Sequence, residues 1–247
     1  MIDSRERDTQ RRPSVASEEG DFLLVDKPFG WTSFDVVAKV RNAYTRAGLR
    51  RKVGHCGTLD PMASGLLVLA SGKKTKQISS LEVLDKGYEA TIKLGVMTES
   101  HDRETPEYGQ VSLEHLTHEE IYHAARQVPG TFLQQPPMHS AVWHNGKRLY
   151  ELARKGATVK ERKAREITVH RFDVTGIELP FVHVTVDVSK GAYIRVIAHE
   201  FGQNLGVGGY LSALRRVSVE AYRLDKAFSV EEIIAEIERR GAEEQGR

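Results

Sequence analysis

The stretch Gly54-His55-Cys56-Gly57-Thr58-Leu59-Asp60-Pro61-Met62-Ala63-Ser64-Gly65-Leu66-Leu67 sets one carboxylate in a loop punctuated by glycine and proline. The loop runs directly into a continuous apolar segment, Leu66 to Ala70, which reads as a buried strand. Such a loop can hold Asp60 in a fixed pose at the edge of a cleft, because glycine permits backbone shapes and close approaches that a Cβ would block. Acid–base or nucleophilic work by a carboxylate is the chemistry this placement allows. A phosphate cradle is the alternative, but the spacing lacks the lysine that follows the second glycine of a P-loop. On periodicity alone, Asp60 reads as a turn-forming residue ahead of a proline. No second histidine, cysteine or acid stands at ligand spacing from His55, and His139 and His144 form no metal-binding pattern.

The elements that must position this loop are many and short. Residues Asp21 to Lys27 read as a strand broken by Pro28-Phe29-Gly30-Trp31, after which Thr32 or Ser33 caps a helix with the apolar stripe Phe34, Val37, Ala38, Val40 and Tyr44. A short helix is expected over Lys76 to Leu84 and a strand over Tyr88 to Leu94. Glu99 to Leu116 reads as polar loop, and Thr117 with Glu120 has capping-box spacing for a helix from His118 to about Gln127. Gln134 to Pro137 is an extended break; Ala141 to His144 is strand-like; Asn145-Gly146 is a hairpin turn signal. A short helix follows over Leu149 to Lys155. Alternation marks antiparallel strands at Glu166 to Ile177 and Phe181 to Val188. Ile194 to Leu205 fits a helix, Leu211 to Val219 is mixed, and Val230 to Arg240 is an amphipathic helix. Strands and helices without strict alternation point to the α+β class around a mixed sheet.

Composition bounds the partners. The 247 residues are 40% hydrophobic and 28% charged, which excludes a disordered polyelectrolyte, and the one cysteine excludes a disulfide scaffold. The net charge of +2 hides a distribution: residues 1–20 carry −1 and residues 229–247 carry −3, which leaves +6 on the body. A basic body between acidic ends suits a polyanionic partner. The polar start lacks the apolar stretch of a signal peptide, and no apolar run is long enough to span a membrane, so the reading is a cytoplasmic protein with no membrane association.

His55-x-Gly57-x-Leu59-Asp60-Pro61-x-Ala63-x-Gly65-Leu66-Leu67 resembles the central motif of the bacterial tRNA pseudouridine-55 synthase family, TruB. Four further segments agree in order: Asp26-Lys27-Pro28-x-Gly30-x-Thr32-Ser33, Lys86-Gly87-Tyr88-Glu89-Ala90, Ser189 to Arg195, and Leu211 to Arg216. The resemblance runs from about Asp21 to Tyr222. It implies the pseudouridine synthase fold: a long mixed, mostly antiparallel sheet flanked by helices, with an inserted RNA-gripping segment at about 100–165. It also implies isomerisation of one uridine in the T-loop of tRNA, from an N1 to a C5 glycosidic bond, with no cofactor and no metal.

The same resemblance assigns roles. Asp60 is the catalytic carboxylate. Burial would oppose its ionisation, so a cation should favour the charged form. Arg195 matches the arginine that pairs with that aspartate, and Tyr88 the tyrosine that packs on the target uracil. A uridine folded into tRNA must flip out to be reached. His55 matches the residue that takes up the vacated space. Tyr193 and Leu214 match walls of the uracil pocket. Lys27 and Lys76 match basic positions near the cleft, and Asp102 falls in the acidic stretch after the tyrosine strand. Each has a plainer reading as core or solvated surface.

Arg154, Lys155, Lys160, Arg162, Lys163 and Arg165 crowd six cations into twelve residues, and Lys147, Arg148, Arg215 and Arg216 extend them. In a tRNA-modifying enzyme, such a run reads as a phosphate-contacting edge. The expected organisation is a flexible extension over 1–20, a catalytic domain over 21–228, and an acidic C-terminal helix over 229–247. That helix should pack Ile233, Ile234 and Ile237 inward and face its glutamates outward. About 25 residues after Tyr222 are too few for the C-terminal PUA domain that many relatives carry. A monomer that binds the tRNA T-arm is expected, and RNA chaperone activity is compatible with it. Two rivals stay open: a synthase of this fold acting on another RNA, and a tRNA-binding or refolding protein whose catalysis is incidental.

Overall fold

A computed structural model describes residues 12–140, 142–144, 146–153, 155–157, 159 and 162–246. The chain forms two compact units, the first from the described parts of Met1–Glu82 and Ala221–Arg247, the second from Val83–Glu220.

The first unit begins with strand β1 (Phe22–Lys27) and helix α1 (Ser33–Arg46). A capping box starts α1: Thr32 accepts from the Asp35 N–H, and Asp35 accepts from the Thr32 N–H. Strand β2 (Val53–His55) leads into the Asp60 loop, and β3 (Ala63–Ser71) leaves it. β3 pairs antiparallel with both β1 and β2, and Leu66 to Ala70 are fully buried, as a continuous apolar run demands. A 3-10 turn over Gly72–Gln77 continues into α2 (Ile78–Glu82), which starts two residues later than the sequence suggests.

The second unit is built on β4 (Lys86–Leu94). Then come the two-residue strands β5 (Met97–Thr98) and β6 (Glu107–Tyr108), helix α3 (His118–Arg126) and β7 (Gly130–Gln134). The hairpin β8 (Trp143–His144) and β9 (Lys147–Arg148) precedes α4 (Leu149–Ala153). Long strands β10 (Arg165–Glu178) and β11 (Phe181–Val188), helix α5 (Ile194–Asn204) and β12 (Gly209–Val219) complete the unit. Its sheet order is β12-β4-β11-β10-β7, antiparallel throughout. Valines 182, 184, 186 and 188 alternate into the core, where Phe172 meets Phe201 of α5 at 5.2 Å between ring centroids. Strand β7 was not legible because Gly130 and Pro129 read as punctuation, yet its five residues pair with the start of β10.

The chain returns to the first unit as β13 (Tyr222–Arg223) and α6 (Val230–Gln245). Phe228, outside the named strands, forms an isolated parallel bridge to Val25. Helix α6 packs on α1, where a Cβ at Gly241 would lie 2.4 Å from the Ala47 carbonyl oxygen.

Three expectations are corrected here. Of the extension expected over 1–20, residues 1–11 lie outside the described residues, and residues 12–20 are held: Val15 is buried, its carbonyl accepts from the Tyr44 hydroxyl at 2.8 Å, and Ser14 donates to Asp21. Helix α1 buries Val36, Val37, Val40, Ala43 and Tyr44, whereas Phe34 is 60% exposed. In α6, Ile233 and Ile237 are fully buried as expected, but Glu236 is buried too, held by Arg239 and Arg240. Among the described residues, no helix is long and apolar enough to cross a membrane.

Candidate active site

In the first unit the Asp60 loop is fastened at both flanks. The Leu59 N–H donates to the Ser33 Oγ at 2.8 Å, and that hydroxyl donates back to the Leu59 carbonyl at 3.0 Å. The Gly30 N–H donates to the Pro61 carbonyl at 2.8 Å, and the Ala63 N–H closes a turn on the Asp60 carbonyl at 3.0 Å. Cys56 and Leu59 are buried, while the Asp60 side chain between these anchors is exposed. Its neighbours are sequestered, and Asp60 itself is exposed, as a residue at the edge of a cleft would be. Gly57 holds φ +100, a conformation that L side chains rarely adopt. His55 ends β2, half-buried and opposite Leu69.

Lys27 is fully buried, and its ammonium donates to the carbonyls of Pro28 and Trp31 at 3.0 and 2.5 Å. It organises the turn that presents Gly30 and Ser33 to the Asp60 loop, which argues against a solvated charge. Lys76 is exposed on the wall of a cavity of about 480 Å³ that Arg50, Arg51, Lys52 and Lys73 also line.

In the second unit, Arg195 sits in the first turn of α5, only 5% exposed. Its guanidinium donates to Asp102 Oδ2 at 2.8 Å and to the His139 carbonyl at 2.7 Å, and it lies 5.8 Å from the Tyr193 ring centroid. Asp102 is equally sequestered. Its carbonyl accepts from Thr98 and Ser100, and its Oδ1 accepts from the Glu104 N–H. This part of the expected polar loop is held in place, with His101 in a left-handed conformation (φ 63) and its carbonyl accepting from the Leu211 N–H. The His101 ring stacks on His199 of α5, with centroids 3.9 Å apart.

Register sorts the strand residues by face. Arg216 stands opposite Tyr88, and Leu214 opposite Ala90, so Tyr88, Leu214 and Arg216 share one face. Arg215 pairs with Glu89 and projects to the other face. Tyr88 is buried and Leu214 half-buried. Arg216 is 1% exposed, so its expected role as a phosphate contact is corrected: it is a core cation on the tyrosine's face. Arg162 is half-buried and donates to the Gln135 carboxamide at 2.8 Å, and Lys155 and Lys163 are exposed. Arg154 and Lys160 lie outside the described residues.

Sequence reasoning missed Ser33 and Gln134. The buried Gln134 carboxamide accepts from the Tyr193 N–H at 2.7 Å and donates to the Tyr193 carbonyl at 3.2 Å, fixing the residue that precedes α5. Its proximity to Pro136 and Pro137 marked a break and gave no sign of this pairing.

These sheets and helices are those of the pseudouridine synthase fold. A crystal structure of a Cbf5-Nop10-Gar1 complex matches with a TM-score of 0.66 at 26% identity, over 90% of this chain and 59% of that one. A structure of an H/ACA RNP bound to a substrate RNA containing 2'-deoxyuridine matches with a TM-score of 0.64 at 26% identity, over 88% and 53%. The model for the TruB family pseudouridylate synthase (N terminal domain) matches residues 45–194. The tRNA pseudouridine synthase B of Chlorobaculum tepidum is 64% identical over 230 residues, 93% of this chain and 96% of that protein. The chain belongs to the TruB family of pseudouridylate synthases, whose activity is an isomerisation.

Proposed function

We propose that the protein converts uridine 55 in the T-loop of tRNA to pseudouridine, with Asp60 as the catalytic carboxylate. The observation that carries this reading is the anchored Asp60 loop. Its backbone is pinned by Ser33 and Gly30, its apolar neighbours are buried, and its carboxylate is left accessible to substrate. A fixed, accessible carboxylate is what an attack on a flipped nucleotide needs, since positioning supplies much of such a rate. Tyr88, on the buried face of β4, serves to pack on the uracil, with Tyr193 and Leu214 as further pocket walls and His55 holding the flipped state. Arg195 keeps the role that the family resemblance gives it, with its guanidinium oriented by Asp102. The exposed cations Lys155 and Lys163, together with Arg162, supply phosphate contacts to the T-arm. Support for tRNA comes from the Chlorobaculum tepidum relative, a tRNA pseudouridine synthase B. Support for an RNA substrate comes from the H/ACA RNP, whose structure holds a substrate RNA. The reaction requires no cofactor, and the protein is proposed to act in the cytoplasm as a monomer.

The test is tritium release from unmodified tRNA labelled at uracil C5, comparing the protein with Asp60→Asn. Release by the former and none by the latter is expected. Equal release by both would falsify the role of Asp60. Mapping the product to a uridine other than 55, or to another RNA, would overturn the assigned substrate.

A further inference from the structure

Helix α1 presents to solvent a set of aromatic and cationic side chains that its core packing does not use. Phe34 is 60% exposed and Phe29, in the turn before the helix, is 54% exposed. Trp31 is half-buried on the wall of a cavity of about 450 Å³ lined by Gly30, Trp31, Asp35, Ala38, Lys39 and Asn42. Ala38, Arg41 and Asn42 follow Phe34 at four, seven and eight residues, so they share its side of the helix. The Lys39 ammonium lies 5.9 Å from the Trp31 ring centroid, and the Arg41 guanidinium 5.8 Å from that of Phe34.

We propose that this face of α1, with Trp31 and Phe34 as stacking surfaces and Lys39 and Arg41 as phosphate partners, binds an unpaired nucleotide of the RNA substrate. Aromatic rings interleaved with cations form the platform on which single-stranded nucleic acid stacks, because every base offers a π-face and every linkage a negative charge. The cavity can take one base, and Asn42 on its wall offers a donor and an acceptor to a base edge. Asp35 also lines it, but its carboxylate is engaged with Thr32 in the capping box. The turn that carries Trp31 is bonded to the Asp60 loop through the Gly30 N–H and the Pro61 carbonyl, so a nucleotide held here lies beside the loop that carries the catalytic carboxylate. The proposal rests on the proposed action on RNA and adds a nucleotide-binding surface to it.

The experiment uses full-length protein carrying Trp143→Phe, so that Trp31 is the one fluorophore of its type, and Asp60→Asn, so that binding is read without turnover. Hexauridylate is titrated against tryptophan emission, with an abasic hexamer of equal charge as control. Quenching by hexauridylate alone is expected, with affinity about tenfold weaker in Phe34→Ala and restored in Phe34→Tyr. Phe34 is exposed, so its truncation spares the core. Identical titrations of the parent and Phe34→Ala, or equal binding of the abasic hexamer, overturn the proposal. So does quenching that follows protein concentration without RNA, which would make this face a contact between copies. Tritium release by the enzyme with Asp60 intact is assayed in parallel. If no pseudouridine forms, the proposed function fails, whatever the titration shows.

Discussion

Ser33 and Leu59 are joined by two hydrogen bonds through a single hydroxyl, which accepts from the Leu59 N–H at 2.8 Å and donates to its carbonyl at 3.0 Å. Both residues are buried, and Asp60 is the next residue in the chain. The start of α1 therefore sets the position of the carboxylate loop.

Ser33→Ala strands a buried backbone donor and acceptor at once. Each unmet group costs about 1–3 kcal/mol, so the variant should lose stability on that scale, measured by urea unfolding. Pseudouridine formation should fall as well, because Asp60 loses one of its two anchors. Unchanged unfolding would mean that water or a rearranged loop satisfies both groups.

Arg195 and Asp102 form an ion pair with side chains only 6% and 8% exposed. Removing one partner leaves the other charge buried, at a cost of roughly 3–5 kcal/mol. Asp102→Ala should therefore destabilise strongly. The double variant with Arg195→Met should destabilise by less than the sum of the two single changes. Additivity in the denaturation cycle would show that the pair is not coupled.

His101 should make stability pH-dependent. Burial, reinforced by the neighbouring His199 and Arg195 and opposed by Asp102, lowers its pKa from 6.5 to about 4. His199, stacked on it, is also lowered by burial. Between these two values the unfolded chain takes up a proton that the folded protein refuses, so stability falls as pH drops through that window. His101→Asn keeps a residue that tolerates the left-handed backbone and should flatten the thermal-unfolding profile between pH 6.5 and 4. A slope equal to the parent's would assign the dependence to other groups.

Lys163 is exposed on the cationic stretch before β10. Lys163→Glu should weaken tRNA binding across sequences and lower the salt slope by about one, as expected when a phosphate contact is lost. Filter binding at several salt concentrations reads this directly. Arg216→Glu should instead unfold the protein, because that side chain is in the core.

The amino-acid sequence by itself determined the local features. The capping box at Thr117, the alternating strands β10 and β11, and the buried run of β3 follow from spacing and side-chain type, which act within a few residues. Asp60, Tyr88 and Arg195 were marked by the resemblance of the ordered motifs to a family; spacing alone left each with a plainer reading. What tertiary structure decided were the long-range partners. Ser33 meets Leu59 across 26 residues, Asp102 meets Arg195 across 93, and Gln134 meets Tyr193 across 59. Burial was likewise decided by packing: Arg216 and Glu236 went into the core, while Phe34 turned out to solvent. A linear pattern specifies which residues share a face. Which face is covered, and by which distant group, depends on contacts that exist only once the chain has folded.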